Sequence, residues 1–298
     1  MKVSANGLQI EVDDQGPPDS PGGPPIVLIM GLGMQLVAWP QPLVAMLVAR
    51  GRRVIRLDNR DAGLSTGFDH LGTPHLASAA LRYLLHLPVA APYRIADMAA
   101  DTVGVLDALR IDRAHVVGAS MGGMIAQHMA ARHAPRVARL TLLMTTSGAR
   151  HLPQASMKVR GALLDRRGLT DRRDTEAIVD RLEHLFEVIG SPAYRPRNAA
   201  DREALRNRLR ASVQRAWRPA GTARQMLAVI ADGDRTPLLA RIASPTHVVH
   251  GSADPLVPAA AADDLQRKIR GATLEIVAGM GHDLPEPLWP RLAEAMLR

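Results

Sequence analysis

The sequence predicts an α/β fold: a mostly parallel, doubly wound sheet carrying one helical insertion. Three observations point there. Short apolar runs alternate with amphipathic stretches of helical spacing. Those runs are apolar on both faces, as in the buried strands of a parallel sheet. Between about 147 and 240 the alternation stops, and no convincing strand occurs.

Taken in order, Val3 to Ala5 and Leu8 to Val12 flank Asn6-Gly7, the pair a tight hairpin turn favours. The stretch from Gln15 to Pro25 is rich in Pro and Gly and reads as a loop. Strand-like runs follow at Ile26–Met30, Val54–Leu57, Ala114–Val117, Leu140–Met144, Thr246–Val249 and Thr273–Val277. Helical patterns lie between them at Pro42–Arg50, Ile95–Leu109, Gly123–Ala131, Ala259–Ile269 and Leu288–Leu297. In the second of these, Ile95, Met98, Thr102, Val105, Leu106 and Leu109 share one face. The strand-free segment holds amphipathic helical stretches such as Thr175–Ile189 and Asp201–Trp217. Gly190-Ser191-Pro192 and Arg218-Pro219-Ala220-Gly221 read as the turns between elements. The organisation is therefore a core of residues 1–146 and 241–298, with residues 147–240 as a helical cap over the sheet.

Composition narrows the function classes. The 298 residues are 47% hydrophobic but only 3% aromatic, so aliphatic side chains and Met must build the core. Cysteine is absent, which excludes disulfides, thiolate catalysis and cysteine metal sites. There is no apolar run long enough for a membrane span, and the first residues lack a signal peptide's apolar core; a cytoplasmic location is the default expectation. The net charge is +8, and residues 148–240 hold 18 Lys and Arg against 11 Asp and Glu. Nucleic-acid binding would want basic residues interleaved with stacking aromatics, which are missing, so no nucleic-acid partner is expected. The arginines read first as a solvated helical surface and second as a basic rim that attracts anionic substrates.

The most informative stretch is Gly118-Ala119-Ser120-Met121-Gly122, a G-x-S-x-G motif between an apolar run and a helical pattern. A serine hydroxyl is a poor nucleophile until a base takes its proton and a sharp turn exposes it. The base needs a third group to orient it. In the chain order Ser, acid, His, the acid should follow a later strand. Asp254 does, after Thr246–Val249, whereas Asp232, Asp234, Asp263 and Asp264 do not directly follow one. Asp283 adjoins His282 and would struggle to face its ring. His282, in the glycine-rich loop Gly279-Met280-Gly281, is the one histidine of eleven that follows Asp254. An oxyanion needs fixed N–H donors. Met121 N–H is one candidate; Leu32, in Gly31-Leu32-Gly33-Met34, is the other, with Gly31 as its alternative.

With these residues in hand, the chain resembles the α/β-hydrolase fold family over almost all its length outside the insertion. The elbow Gly118–Gly122, the acid loop His250–Asp254 and the base loop Gly281-His282 carry the likeness. The run Asp58-Asn59-Arg60-Asp61-Ala62-Gly63-Leu64-Ser65 looks like the family's D-x-R-x-x-G-x-S loop, which implies a structural role for Asp58 and Arg60. Met30-Gly31-Leu32-Gly33-Met34, Trp39-Pro40 and Asp58–Asp61 are similar to a bacterial carboxylesterase subgroup that includes aclacinomycin methylesterase-like proteins. Where the family commonly has His-Gly before the oxyanion residue, this chain has Met30-Gly31, a departure the subgroup shares.

The resemblance implies hydrolysis of a small-molecule carboxylic ester through an acyl-enzyme, with no metal or other cofactor. Ser120 argues against dehalogenases and epoxide hydrolases of this fold, which attack with an aspartate. A C–C bond hydrolase of ring-cleavage products, a cofactor-free haloperoxidase and a non-catalytic binder are the other readings. Met34, Trp39, Met124, Met157 and Trp217, with Met121, are the candidates for an apolar substrate pocket.

Overall fold

A computed structural model describes residues 1–164 and 174–298. The residues outside those ranges fall within the expected insertion. Among the described residues eight strands form one sheet: β1 (Lys2–Ala5), β2 (Leu8–Gln15), β3 (Ile26–Ile29), β4 (Val54–Leu57), β5 (Ala114–Ala119), β6 (Val137–Leu143), β7 (Thr246–Gly251) and β8 (Thr273–Val277). Their order is β1-β2-β4-β3-β5-β6-β7-β8. The β1–β2 and β2–β4 pairs are antiparallel and every other pair is parallel. The helices are α1 (Gln41–Val48), α2 (Leu76–Leu84), α3 (Ile95–Ala108), α4 (Met121–Arg132), α5 (Met157–Leu164), α6 (Thr175–Ile189), α7 (Ala199–Arg215), α8 (Pro219–Asp232), α9 (Thr236–Leu239), α10 (Ala260–Lys268) and α11 (Trp289–Ala295).

Alternate side chains of the strands feed two cores. On β3, Val27 and Ile29 pack with α3, α4 and α10, while Ile26 and Leu28 pack with α1 and α11. Both faces of the central strands are thus covered, which explains why their sequences are apolar throughout. The hairpin turn forms at Asn6 and Gly7, both with positive φ (49° and 76°), as a twisted two-residue turn requires.

Several elements differ from the sequence expectation. Strand β2 runs on to Gln15 because Val12–Gln15 pair with Val54–Leu57, a long-range contact that extends it past its apolar residues. Arg218-Pro219-Ala220-Gly221 is the start of α8, not a turn between elements. Pro219 sits in the helix's first turn, where its missing N–H costs nothing. Helix α2 is a further element; its Leu81 and Leu84 are exposed and its one buried residue is Ala79, so its leucines do not mark the inward face.

The helices α5 to α8 lie between β6 and β7. Among the described residues no helix is long and apolar enough to cross a membrane. Arginines of α7 meet carboxylates of α6: Arg206 bonds Asp180 and Glu183 at 2.6 Å each, and Arg210 bonds Glu176 at 2.6 Å. Arg202 bonds Glu183 as well. These three arginines are therefore paired within the insertion, while the net excess of the segment is unchanged by those pairs. Helix α8 is pinned to the core by a buried pair. Arg224 donates to both oxygens of Asp61 at 2.8 and 2.7 Å, and Tyr93 Oη–H and Phe68 N–H complete that carboxylate.

Three histidines buried in the sheet should set the acid limit of stability. Burial pushes the His115 imidazole down to about 3, and burial likewise lowers His247 and His250. An unfolded histidine titrates near 6.5. Below that pH the unfolded chain takes up protons that the folded chain refuses, so stability falls as pH drops from about 6.5, by up to about 1.4 kcal/mol per pH unit for each histidine. Urea midpoints measured from pH 7.5 to 5.5 should decline below pH 6.5. A flat profile would contradict this placement of the imidazoles.

Candidate active site

Strand β5 ends at Ala119, and Ser120 stands between it and α4 with φ 55° and ψ −119°, a conformation L-residues rarely adopt. The turn holds because its neighbours are glycine. A Cβ on Gly118 would lie 2.2 Å from Gly122 O, and one on Gly122 would lie 2.1 Å from Ile29 O. Backbone contacts this close exclude any side chain and leave Ser120 half-buried at the strand tip.

The loops after β7 and β8 bring Asp254 and His282 to the same edge. His282 Nε2 is 3.0 Å from Ser120 Oγ, and its Nδ1 is 2.7 Å from Asp254 Oδ2. The other Asp254 oxygen accepts Leu256 N–H at 2.9 Å and Val257 N–H at 2.8 Å. Both oxygens of Asp254 thus accept, which places the ring proton of His282 on Nδ1 and leaves Nε2 free to accept from Ser120. Behind them, His250 is fully buried, with Nε2–H donating to Val257 O at 2.7 Å. Burial lowers its pKa, so it stays neutral and adds no charge beside Asp254.

Three of the other carboxylates are bonded elsewhere. Asp232 meets His128 at 3.0 Å and Arg235 at 2.7 Å; Asp264 meets Ser147 and Lys268. Asp283 accepts from Ser191 N–H at 3.0 Å and from the Ser191 hydroxyl.

The loop after β3 runs beside the serine. A Cβ on Gly31 would lie 3.1 Å from Ser120 Cβ. Leu32 N–H and Met121 N–H have no acceptor among the described residues. Gly33 N–H, by contrast, donates to Gln225 Oε1 at 2.8 Å, and Asn59 Nδ2 donates to Met30 O at 3.0 Å. The loop is therefore fixed on both sides of Leu32. Asp58 accepts from Leu36 N–H, Leu64 N–H and Arg215, and Arg60 pairs with Asp101, so both shape loops and neither touches Ser120.

The expected pocket residues scatter. Met34 and Trp217 line a cavity of about 50 Å³ together with Gly33, Leu182 and Phe186; Ser120 is not part of its wall. Trp39 is fully buried in the core beside α1 and α11. Met124 turns inward, because α4 is buried almost all round, and packs into the other core. Met157 opens α5 and is 79% exposed. Those three do not line the cavity. Gln35, Leu182 and Phe186 do, and only the packing of α6 and α7 over the loop after β3 reveals them.

Residues 24–286 match the family described as the alpha/beta hydrolase fold. The chain belongs to that family. It is 28% identical to a rhodomycin D methylesterase of Streptomyces peucetius over 296 residues, covering 93% of this chain and 90% of the other. It is 34% identical to a 2-hydroxymuconate semialdehyde hydrolase of a Pseudomonas species over 143 residues, which is 48% of this chain and 42% of that one. The crystal structure of an enol-lactonase from Burkholderia xenovorans LB400 superposes with a TM-score of 0.70 at 22% identity, each chain covered in full. This α/β hydrolase therefore has both ester-cleaving and C–C-cleaving relatives, and its fold is that of the lactonase.

Proposed function

We propose that this α/β hydrolase is a serine esterase that cleaves a small-molecule carboxylic ester through an acyl-enzyme on Ser120. The single observation that carries the reading is the unbroken chain from Asp254 Oδ2 through His282 to Ser120 Oγ, at 2.7 and 3.0 Å. Ser120 Oγ attacks the ester carbonyl while His282 Nε2 takes its proton. Asp254 keeps the ring in the accepting tautomer and stabilises the imidazolium. Leu32 and Met121 N–H groups, unpaired and beside Ser120, receive the oxyanion. The alcohol leaves with the proton from His282, and water then attacks the acyl-enzyme by the same route. Every step is served by side chains and backbone of this chain, with no cofactor in the scheme. Residues 147–240 act as a cap that roofs the site and sets the acyl group accepted.

The likeness to the methylesterase over nearly both whole chains favours an ester; the shorter likeness to the semialdehyde hydrolase motivates a C–C reading as the rival. Turnover of p-nitrophenyl acetate and butyrate, set against a vinylogous 1,5-diketone, separates them. The ester reading expects kcat/KM to be higher for the esters. Higher values for the diketone would assign the C–C reaction, and no turnover of either ester would end the esterase proposal.

A further inference from the structure

The backbone of the base loop is held on one side by the core and on the other by the insertion. Its last ties to the sheet end are Met280 N–H to Val277 O at 3.4 Å and Met280 O from Ala253 N–H at 3.0 Å. At Gly281 and His282 the backbone N–H groups, and at Asp283 the side chain, turn instead to the end of α6, while the His282 ring reaches Asp254 and Ser120. Gly281 N–H donates to Ser191 Oγ at 2.7 Å, and His282 N–H donates to Ile189 O at 2.8 Å. Asp283 Oδ1 accepts from Ser191 N–H at 3.0 Å and from the Ser191 hydroxyl. Three successive residues, with the histidine at their centre, are thus bonded to two residues of the insertion.

The contact is tight as well as polar. A Cβ on Gly281 would lie 2.4 Å from Gly190 C and 2.7 Å from Ser191 N, so the two backbones touch. Ser191 is 2% exposed. A hydroxyl has a single proton to give. Here it goes to Asp283, which leaves the lone pairs of Oγ for Gly281 N–H. That directionality makes one serine the shared partner of both residues flanking His282. The Asp283 carboxylate, which the proposed chemistry does not otherwise use, is the anchor that orients the hydroxyl.

We propose that Ser191, with Asp283, is a positioning residue for His282: the pair locks the base loop to the end of α6, so that the cap's attachment fixes where the catalytic imidazole stands. This rests on the triad reading above. The imidazole must reach Ser120 Oγ, then the leaving oxygen, then water, from one backbone position. A displacement near 1 Å costs on the order of a hundredfold in rate, and a loosened loop a part of that.

The test uses Ser191→Ala, Asp283→Ala and the double variant, with p-nitrophenyl butyrate as the probe. Turnover is normalised to the sites that a fluorophosphonate labels at completion, so that any poorly folded fraction drops out. Each single variant should lose about tenfold in kcat per labelled site with KM within about twofold, and the double should lose no more than the larger single. A purely structural serine would lower the number of labelled sites and leave turnover per site unchanged. Turnover per site within twofold of wild type in either single variant, or losses that multiply in the double, would overturn the proposal. Activity surviving in Ser120→Ala would instead overturn the esterase reading itself, so the two failures are distinguishable.

Discussion

Ser120→Ala should reduce kcat toward p-nitrophenyl butyrate by about 10⁵- to 10⁶-fold, with His282→Ala costing nearly as much and the double variant little more. The physical reason is that the hydroxyl and the imidazole, 3.0 Å apart, act in one event. Without the base, the hydroxyl holds its proton at neutral pH. Without the hydroxyl, the base has only water to activate, at a site shaped for an attached acyl group. KM should change little, because neither group is needed to hold the ester before attack. The thermal midpoint of Ser120→Ala should stay near wild type, since Ser120 is half-buried at a strand tip, whereas His282→Ala should lower it, because the ring is buried and is the partner of Asp254 Oδ2. Steady-state kinetics on the three variants check this. Losses that multiply to 10¹⁰-fold, or a Ser120→Ala variant within a hundredfold of wild type, would break the mechanism.

Asp254→Asn carries the second large effect, a fall in kcat of about 10⁴-fold with the fold intact. The asparagine oxygen can still accept Leu256 and Val257 N–H, as Oδ1 of Asp254 does at 2.9 and 2.8 Å. Its amide NH₂ then faces His282 Nδ1, which must become an acceptor. The ring proton moves to Nε2, which can no longer take the proton of Ser120. The variant thus tests the tautomer rather than the packing. Activity within tenfold of wild type at neutral pH would show that Asp254 does not set it.

The parts of this account differ in how far the chain alone exposes them. Ser120, Asp254 and His282 stand out because each follows an apolar run, and parallel strands put all such positions on one edge of the sheet. The topology thus turns three distant sequence positions into one expected cluster. Pocket residues have no such rule. Met124 and Met157 both begin or sit near the start of a helix, yet one is buried and the other 79% exposed, because the neighbouring element decides which side is inside. Helix α8 hides behind Pro219 and Gly221, residues that usually end helices but here open one. The grip of Ile189 and Ser191 on the base loop joins segments about 90 residues apart, and Gly190-Ser191-Pro192 alone reads as an ordinary turn. The same holds for the arginines of α7: their number is plain in the sequence, but the partners of Arg206 and Arg210 on α6, Glu176, Asp180 and Glu183, are not.

The most direct test of the central claim is covalent labelling. A fluorophosphonate reacts with a serine whose proton a neighbouring base removes, and the adduct stays on that residue. Peptide mapping by mass spectrometry should find one adduct per chain, on Ser120, absent from Ser120→Ala and formed far more slowly in His282→Ala. An unlabelled chain, or an adduct on any other residue, would contradict the assignment of Ser120 as the nucleophile.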